Sequence, residues 1–147
     1  MRLDEIIGNH DAVKALRGMA ESGRIPHALM LYENDGCGAM ALTLAFLSAV
    51  MGDEHKVSNL IHPDVHYVYP VANGSKVTEK VENLRAELFL EYWRSLMTAN
   101  PYALESEVST AFGIEGKQAG ITNAEAKEIL ETVWLPSVEG GWKAVVV

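Results

Sequence analysis

The sequence RIPHALMLYENDGCGAMALTLAFLSAVM spans Arg24 to Met51 and decides the fold prediction. It opens with an apolar run, Ala28–Tyr32, which predicts a central parallel strand that is covered on both faces. A loop with two glycines follows, and an apolar segment of helix-forming residues, Ala39–Val50, closes the stretch. Strand, glycine loop and helix in this order are typical of a phosphate-binding loop, in which backbone N–H groups at a helix N-terminus surround the anion.

The usual pattern of such a loop is G-x-x-x-x-G-K-[ST], whose lysine binds phosphate and whose hydroxyl binds Mg²⁺. In this chain the eight positions are Glu33, Asn34, Asp35, Gly36, Cys37, Gly38, Ala39 and Met40. Gly38 keeps the second glycine, but the lysine is Ala39 and the hydroxyl residue is Met40. Glu33 and Asp35 add negative charge, and two unit charges about 4 Å apart interact by roughly 4 kcal/mol at an effective dielectric of about 20. The pattern therefore predicts a degenerate loop that does not hydrolyse ATP, with no cofactor and no catalytic residue.

The loop residues alone leave two alternatives open. Two glycines between an apolar strand and a helix also occur in ordinary turns of unrelated α/β domains. A divergent ATPase with a non-standard loop is the other alternative, and a nucleotide-binding titration separates it from the degenerate loop.

Composition excludes several classes of protein. The 147 residues are about the size of one domain, and the formal net charge of −8 argues against a protein that binds nucleic acid by itself. The single cysteine, Cys37, excludes a disulfide within the chain and a four-cysteine zinc site. The longest apolar stretch, Ala39–Met51, is shorter than the roughly 20 residues that span a bilayer. These features predict a cytoplasmic protein with no membrane partner.

The periodicity along the chain predicts alternating helices and strands, and hence an α/β fold with a parallel sheet. The predicted elements besides the central strand and its helix are a helix from Asn9 to Ser22, a short helical turn in Lys56–Ile61, a strand Val65–Val71, a helix Glu82–Thr98, a short helix within Tyr102–Phe112, a helix from the Thr122 cap to Trp134 and a buried strand Trp142–Val147. The sequence predicts no role for Asn73–Gly113.

Three motifs, in this order and at this spacing, resemble bacterial clamp-loader subunits of the AAA+ family. D-E-I-I-G-N (Asp4–Asn9) precedes G-R-I-P-H-A-L-M-L (Gly23–Leu31) at the start. I-H-P-D-V-H-Y-V-Y-P (Ile61–Pro70) resembles the second-strand signature. G-I-T-N-A-E-A-K-E-I-L (Gly120–Leu130) and P-S-V-E-G-G-W-K-A-V-V-V (Pro136–Val147) resemble the helix and strand that lead to the Walker B acid.

The resemblance implies a P-loop NTPase-like (AAA+) three-layer sandwich with a partial parallel sheet and flanking helices. Residues 1–147 would be a truncated N-terminal AAA+ domain, with the Walker B acids and an arginine finger lying after Val147. The implied function is that of a non-hydrolysing structural subunit of the replication clamp loader, with a divergent gamma/tau-like ATPase as the alternative. Its implied partners are the gamma/tau and delta subunits, while the sliding clamp and primer–template DNA are reached only through the assembly.

A few single residues complete the predictions. The resemblance implies that Ile7 and Gly8 are a vestigial adenine pocket, although core packing also explains a buried Ile7. His27 is predicted to be a buried, hydrogen-bonded imidazole. His62 and His66 flank Asp64, but the intervening proline and the β-rich sequence oppose a helix that would bring the two imidazoles together, so no metal site is predicted.

Overall fold

The computed structural model describes residues 1–147. Helix accounts for 46% of the residues and the two strands form one sheet, so the fold is mixed α/β, as the sequence predicted at that level. The α-helices are α1 (His10–Ser22), α2 (Ala39–Met51), α3 (Glu54–Ser58), α4 (Leu90–Ala99), α5 (Glu105–Phe112) and α6 (Asn123–Trp134). The strands are β1 (Val65–Tyr67) and β2 (Ala144–Val146), and two 3-10 turns cover Leu3–Glu5 and Ala86–Phe89. No helix is both long and apolar enough to cross a membrane.

The two strands pair in parallel, with His66 opposite Val145 at the centre of the register. The pairing extends one residue further, because the Val68 N–H donates to the Val146 carbonyl at 2.7 Å. The predicted strand Val65–Val71 is therefore shorter than expected, and Val71 instead forms an isolated antiparallel bridge with Gly120. The parallel direction of the pair agrees with the prediction.

Helix α2 lies at the centre of the molecule, because it contributes to both hydrophobic clusters. Its Leu44 and Leu47 belong to the larger cluster, which also contains β1 and several aromatic rings. Its Leu42 and Phe46 pack in the smaller cluster with Leu16 of α1. The helix is apolar on nearly every side because one hydrophobic cluster packs on each side of it. Its start at Ala39 and its end before Gly52 agree with the sequence prediction.

Helix α1 has the predicted bounds, and Gly23 ends it in the left-handed conformation at φ +66°. Asn9 precedes the helix, but its side chain does not cap it. The Asn9 amide instead donates to the Cys37 carbonyl at 2.8 Å. This contact joins the lead-in to the glycine loop.

The predicted central strand Ala28–Tyr32 does not form, and this part of the prediction was wrong. Residues 24–33 make no backbone–backbone hydrogen bond, and the Met30 and Tyr32 side chains are 85% and 89% exposed. The run packs against the protein only through Leu31, which is half-buried against the smaller cluster. A strand needs a hydrogen-bonded neighbour, and the only two strands of this sheet pair with each other.

Helix α6 begins at the predicted cap, where the Thr122 hydroxyl accepts the Glu125 N–H at 3.2 Å. The apolar pattern of α6 predicts an inward face of Ala126, Ile129, Leu130 and Val133, but only Ile129 is half-buried, whereas Leu130 is 62% exposed and Ala126 and Val133 are also exposed. The helix buries Glu125 instead, whose carboxylate accepts the Ala86 N–H at 2.6 Å. Glu125 and Ile129 therefore face the rest of the protein, while Leu130 and Val133 face solvent.

Other differences concern the ends of elements and single exposed residues. The predicted helix Glu82–Thr98 starts later, with a 3-10 turn before α4. The predicted strand Trp142–Val147 is limited to β2, and Trp142 is exposed. His27 and Ile7 are exposed rather than buried, because the segments that carry them lie at the surface.

Candidate functional site

The glycine loop has a well-defined turn geometry. Gly36 and Gly38 adopt the left-handed conformation, with φ values of +75° and +100°. The Cys37 N–H donates to the Asn34 carbonyl at 3.0 Å and closes a turn between them. Helix α2 begins at the next residue, Ala39, with Gly38 as its N-cap. The loop and helix predicted from the sequence are therefore present, although no strand leads into them.

Glu33 lies at the N-terminus of α2. Its Oε2 accepts the Ala39 N–H at 2.6 Å. The first N–H groups of a helix lack partners within the helix and carry partial positive charge, so a carboxylate there is stabilised as a phosphate would be. The chain therefore supplies its own anion at the position where a phosphate-binding loop receives one.

Asp35 also caps a helix, but a different one. Its Oδ1 accepts the Glu105 N–H at 3.0 Å, at the start of α5. The negative charge that the sequence placed at the loop is thus divided between two helix N-termini, with Glu33 at α2 and Asp35 at α5. Asp35 therefore connects the loop to α5, across 70 residues of sequence.

The segment between α4 and α5 covers the loop. A Cβ atom added to Gly38 would lie 2.6 Å from Tyr102 Cε1, and one added to Gly36 would lie 2.6 Å from Leu104 Cδ2. Both glycines are therefore required by close approach as well as by backbone conformation. Sequence reasoning missed Tyr102 and Leu104, because nothing in the local pattern links them to a loop more than 60 residues earlier in the chain.

Ile7 and Gly8, the predicted vestigial adenine pocket, lie near the same tyrosine. The Ile7 N–H donates to the Tyr102 hydroxyl at 3.1 Å, whereas the Ile7 side chain is 77% exposed. Gly8 is in the left-handed conformation at the turn into α1. The structure thus brings the lead-in and the loop together, and Tyr102 contacts both.

The two positions that would hold lysine and hydroxyl groups carry no polar side chain. Ala39 is the first residue of α2, and Met40 packs against the larger core cluster. The nearest hydroxyl along the helix, Thr43, donates to the Ala39 carbonyl at 2.8 Å. The Cys37 thiol is exposed on the loop. These positions supply neither a cation for phosphate nor a ligand for Mg²⁺.

Asp64 is a second carboxylate that accepts backbone N–H groups, and it is fully buried. It accepts hydrogen bonds from the Ser137 hydroxyl at 2.9 Å, the Val138 N–H at 2.7 Å and the Glu139 N–H at 2.9 Å. Burial by itself raises the pKa of Asp64. The hydrogen bonds from the three donors lower it by more than burial raises it, so the pKa lies below its ordinary value. The carbonyl of Asp64 also accepts the Ala144 N–H, which places β2 beside β1.

Of the two histidines beside Asp64, His62 has side-chain partners. His62 Nδ1 accepts the Asp64 N–H at 3.2 Å, and His62 Nε2 lies 3.5 Å from Glu139. Burial lowers the pKa of His66, which is half-buried in β1. No group of three or more histidine, cysteine or carboxylate side chains is arranged to hold a metal ion.

Comparison with protein-family models, with curated proteins and with solved structures finds no match to this chain.

Proposed function

We propose that this chain is a non-hydrolysing structural subunit of a DNA polymerase III clamp loader, resembling the delta prime subunit. In this role the chain is the first part of a P-loop NTPase-like AAA+ domain whose nucleotide site is degenerate. It contributes rigid surfaces to a ring that loads the sliding clamp onto primed DNA, and another subunit hydrolyses ATP. The gamma/tau and delta subunits are its proposed partners.

The proposal rests mainly on one observation: the Glu33 carboxylate accepts the Ala39 N–H at the start of α2. A clamp-loader ATPase needs that helix N-terminus for phosphate, a lysine for the β- and γ-phosphates and a hydroxyl for Mg²⁺. Here a carboxylate takes the first position, and Ala39 and Met40 take the other two. This combination favours the structural subunit over the divergent gamma/tau-like ATPase.

Two further features support the family assignment. The motif Ile61–Pro70 places a parallel strand directly after its His-Pro-Asp turn, and the motif Pro136–Val147 supplies the strand that pairs with it. Asp64 of the first motif accepts hydrogen bonds from Ser137 and Val138 of the second. The motifs that resemble the family therefore contact one another through their own residues.

A second candidate function rests on the unpaired run Ala28–Tyr32. Its backbone makes no backbone–backbone hydrogen bond, and Leu29, Met30 and Tyr32 are exposed. Free backbone groups beside apolar side chains are typical of segments that pair with a strand of another chain. This observation supports a general interaction module, built around an ordinary glycine turn, as the second candidate.

Reconstitution distinguishes the two candidates. The chain is mixed with purified gamma/tau and delta subunits, and the complexes are separated by size exclusion. The clamp-loader proposal expects the chain to elute with both subunits and to hydrolyse no ATP when measured alone. Failure to enter the complex would contradict the clamp-loader proposal and leave the interaction module as the better explanation.

A matched pair of variants checks which surface is used. Met30→Ser/Tyr32→Ser removes exposed apolar groups from the unpaired run, and Leu130→Ser/Val133→Ser does the same on α6. If only the first pair abolishes complex formation, the unpaired run is the contact surface. Circular dichroism of both variants confirms that the fold is unchanged.

A further inference from the structure

We propose that Glu33, Tyr102 and Leu104 form an internal plug that occupies the anion site of the glycine loop. The plug is an intramolecular contact that closes the loop against phosphate-bearing ligands. The proposal does not depend on the clamp-loader function, because every contact in it lies within this chain. It also gives a role to part of Asn73–Gly113, for which the sequence alone suggested none.

The charged part of the plug is Glu33. Its Oε2 lies 2.6 Å from the Ala39 nitrogen, a short hydrogen bond to a carboxylate. An incoming phosphate has to displace this carboxylate to reach the same N–H, and the two negative charges repel each other while both are present. The carboxylate competes as a tethered group, at the high effective concentration of an intramolecular ligand.

The bulky part of the plug is the Tyr102 ring. It packs so closely on Gly38 that a Cβ there would lie 2.6 Å from Cε1 and 3.0 Å from Cδ1. Its hydroxyl accepts the Ile7 N–H, so the side chain extends from the loop to the lead-in. A ligand that bridged these two backbone elements would need the volume that the ring fills.

The plug is held in place from both of its ends. The Tyr102 N–H donates to the Asn100 side-chain oxygen at 3.1 Å, just after α4 ends. The Glu105 N–H donates to Asp35, and Leu104 packs on Gly36. These contacts fix the segment against the loop on either side of the tyrosine, so the ring is positioned by several independent interactions.

The test restores the loop chemistry and then removes the ring. The starting variant carries Glu33→Gly, Ala39→Lys and Met40→Thr, which together recreate the usual pattern. To it is added either Tyr102→Ala, which removes the ring, or Tyr102→Phe, which keeps the ring and serves as the matched control. Binding of ATP with Mg²⁺ is measured for both by isothermal titration calorimetry.

We expect the Tyr102→Ala protein to bind ATP at least about tenfold more tightly than the Tyr102→Phe protein. Equal affinity in the two proteins would overturn the plug, because the ring would then occupy no part of the ligand's volume. Absence of binding in both, with the fold intact by circular dichroism, would overturn it as well.

Amide hydrogen exchange of a single-residue variant provides a second measurement. It does not require the variant with several substitutions to fold. Tyr102→Phe removes the acceptor of the Ile7 N–H and leaves the packing in place. The Ile7 amide is expected to exchange about tenfold faster in this variant, while the Ala39 amide, held by Glu33, is unchanged. Unchanged exchange at Ile7 would overturn the plug. None of these outcomes bears on complex formation with gamma/tau and delta, so the two proposals fail independently.

Discussion

Two apolar runs of the chain lie in very different surroundings. Val65–Val71 contains β1, and most of its side chains are buried in the larger core cluster. Ala28–Tyr32 is more continuously apolar but contains no β-branched residue, and it forms no strand and exposes most of its side chains. Hydrophobicity alone therefore does not decide which of the two runs forms a strand.

The carboxylates near the two runs also make different contacts. Asp64 directly precedes β1 and accepts hydrogen bonds from three groups in Ser137–Glu139, which fixes the segment that leads into β2. Glu33 directly follows the other run, but it accepts a single N–H from α2, a helix that is already adjacent in sequence. The first carboxylate brings a distant strand to its run and the second does not. The run that forms a strand is thus the one whose neighbouring carboxylate also holds the segment that leads to its partner strand.

The largest effect is expected for Asp64→Ala. The variant removes the buried carboxylate that accepts the partly buried Val138 and Glu139 N–H groups, so it should lower the free energy of unfolding by about 3 kcal/mol. Chemical denaturation measures the loss. Asp53→Ala is the matched control, because Asp53 also accepts a backbone N–H, from Lys56, but its side chain is 31% exposed. A loss from Asp64→Ala no larger than that of the control would break the comparison between the two runs.

The next effect separates the runs themselves. Val65→Ala should cost about 2 kcal/mol, because two methyl groups leave a buried site in β1. Met30→Ala should change stability by less than about 0.5 kcal/mol, since its side chain is exposed. Thermal and urea unfolding of both variants measure the difference. Similar losses for the two would mean that Ala28–Tyr32 is packed in solution, contrary to this structure.

The pH dependence of stability sharpens the role of Asp64. Because the pKa of folded Asp64 is lowered, the unfolded chain takes up a proton at a higher pH than the folded chain does. The stabilisation is therefore present above the unfolded pKa, near 4, and is lost as the pH falls towards the lower folded pKa. Urea unfolding measured from about pH 6 down to about pH 3 should show stability declining below about pH 4. Asp64→Asn should remove much of it; an unaltered decline would assign the acid sensitivity to other carboxylates.

A smaller effect of opposite sign is expected for Glu125 on α6. Burial raises its pKa, although the hydrogen bond from the Ala86 N–H opposes the shift. A raised folded pKa means that the charged form destabilises the fold at neutral pH, and that this cost disappears as the pH falls through the folded pKa. Glu125→Gln should therefore raise the unfolding temperature slightly at pH 7, whereas the exposed Glu131→Gln should leave it unchanged. A lower unfolding temperature in Glu125→Gln would show that the carboxylate is needed for its hydrogen bond.

Local signals in the sequence predicted the helices well. The cap at Thr122, the left-handed glycines Gly23 and Gly52, and the apolar composition of α2 all act within a few residues, and the structure confirms each. Contacts between distant segments were not predictable in the same way. Helix α6 buries Glu125, which accepts a hydrogen bond from Ala86, 39 residues away in sequence, whereas its apolar pattern predicted that Leu130 and Val133 would be buried.

The candidate site shows the same division. The loop, its two glycines and the missing lysine were readable from eight consecutive residues, and so was the negative charge of Glu33. Two contacts could not be predicted from the sequence: the hydrogen bond from Glu105 to Asp35 and the packing of Tyr102 on Gly38. Both depend on the position of α5 relative to α2. Sequence therefore identified the loop, and tertiary structure identified what covers it.

The central claim is that the glycine loop keeps its turn and helix while its anion site is filled by the chain itself. Isothermal titration of the unmodified protein with ATP and Mg²⁺ tests it most directly. We predict no binding up to millimolar ATP, because Glu33 holds the Ala39 N–H and Tyr102 covers Gly38. Micromolar, Mg²⁺-dependent binding would contradict the claim and would favour a divergent ATPase.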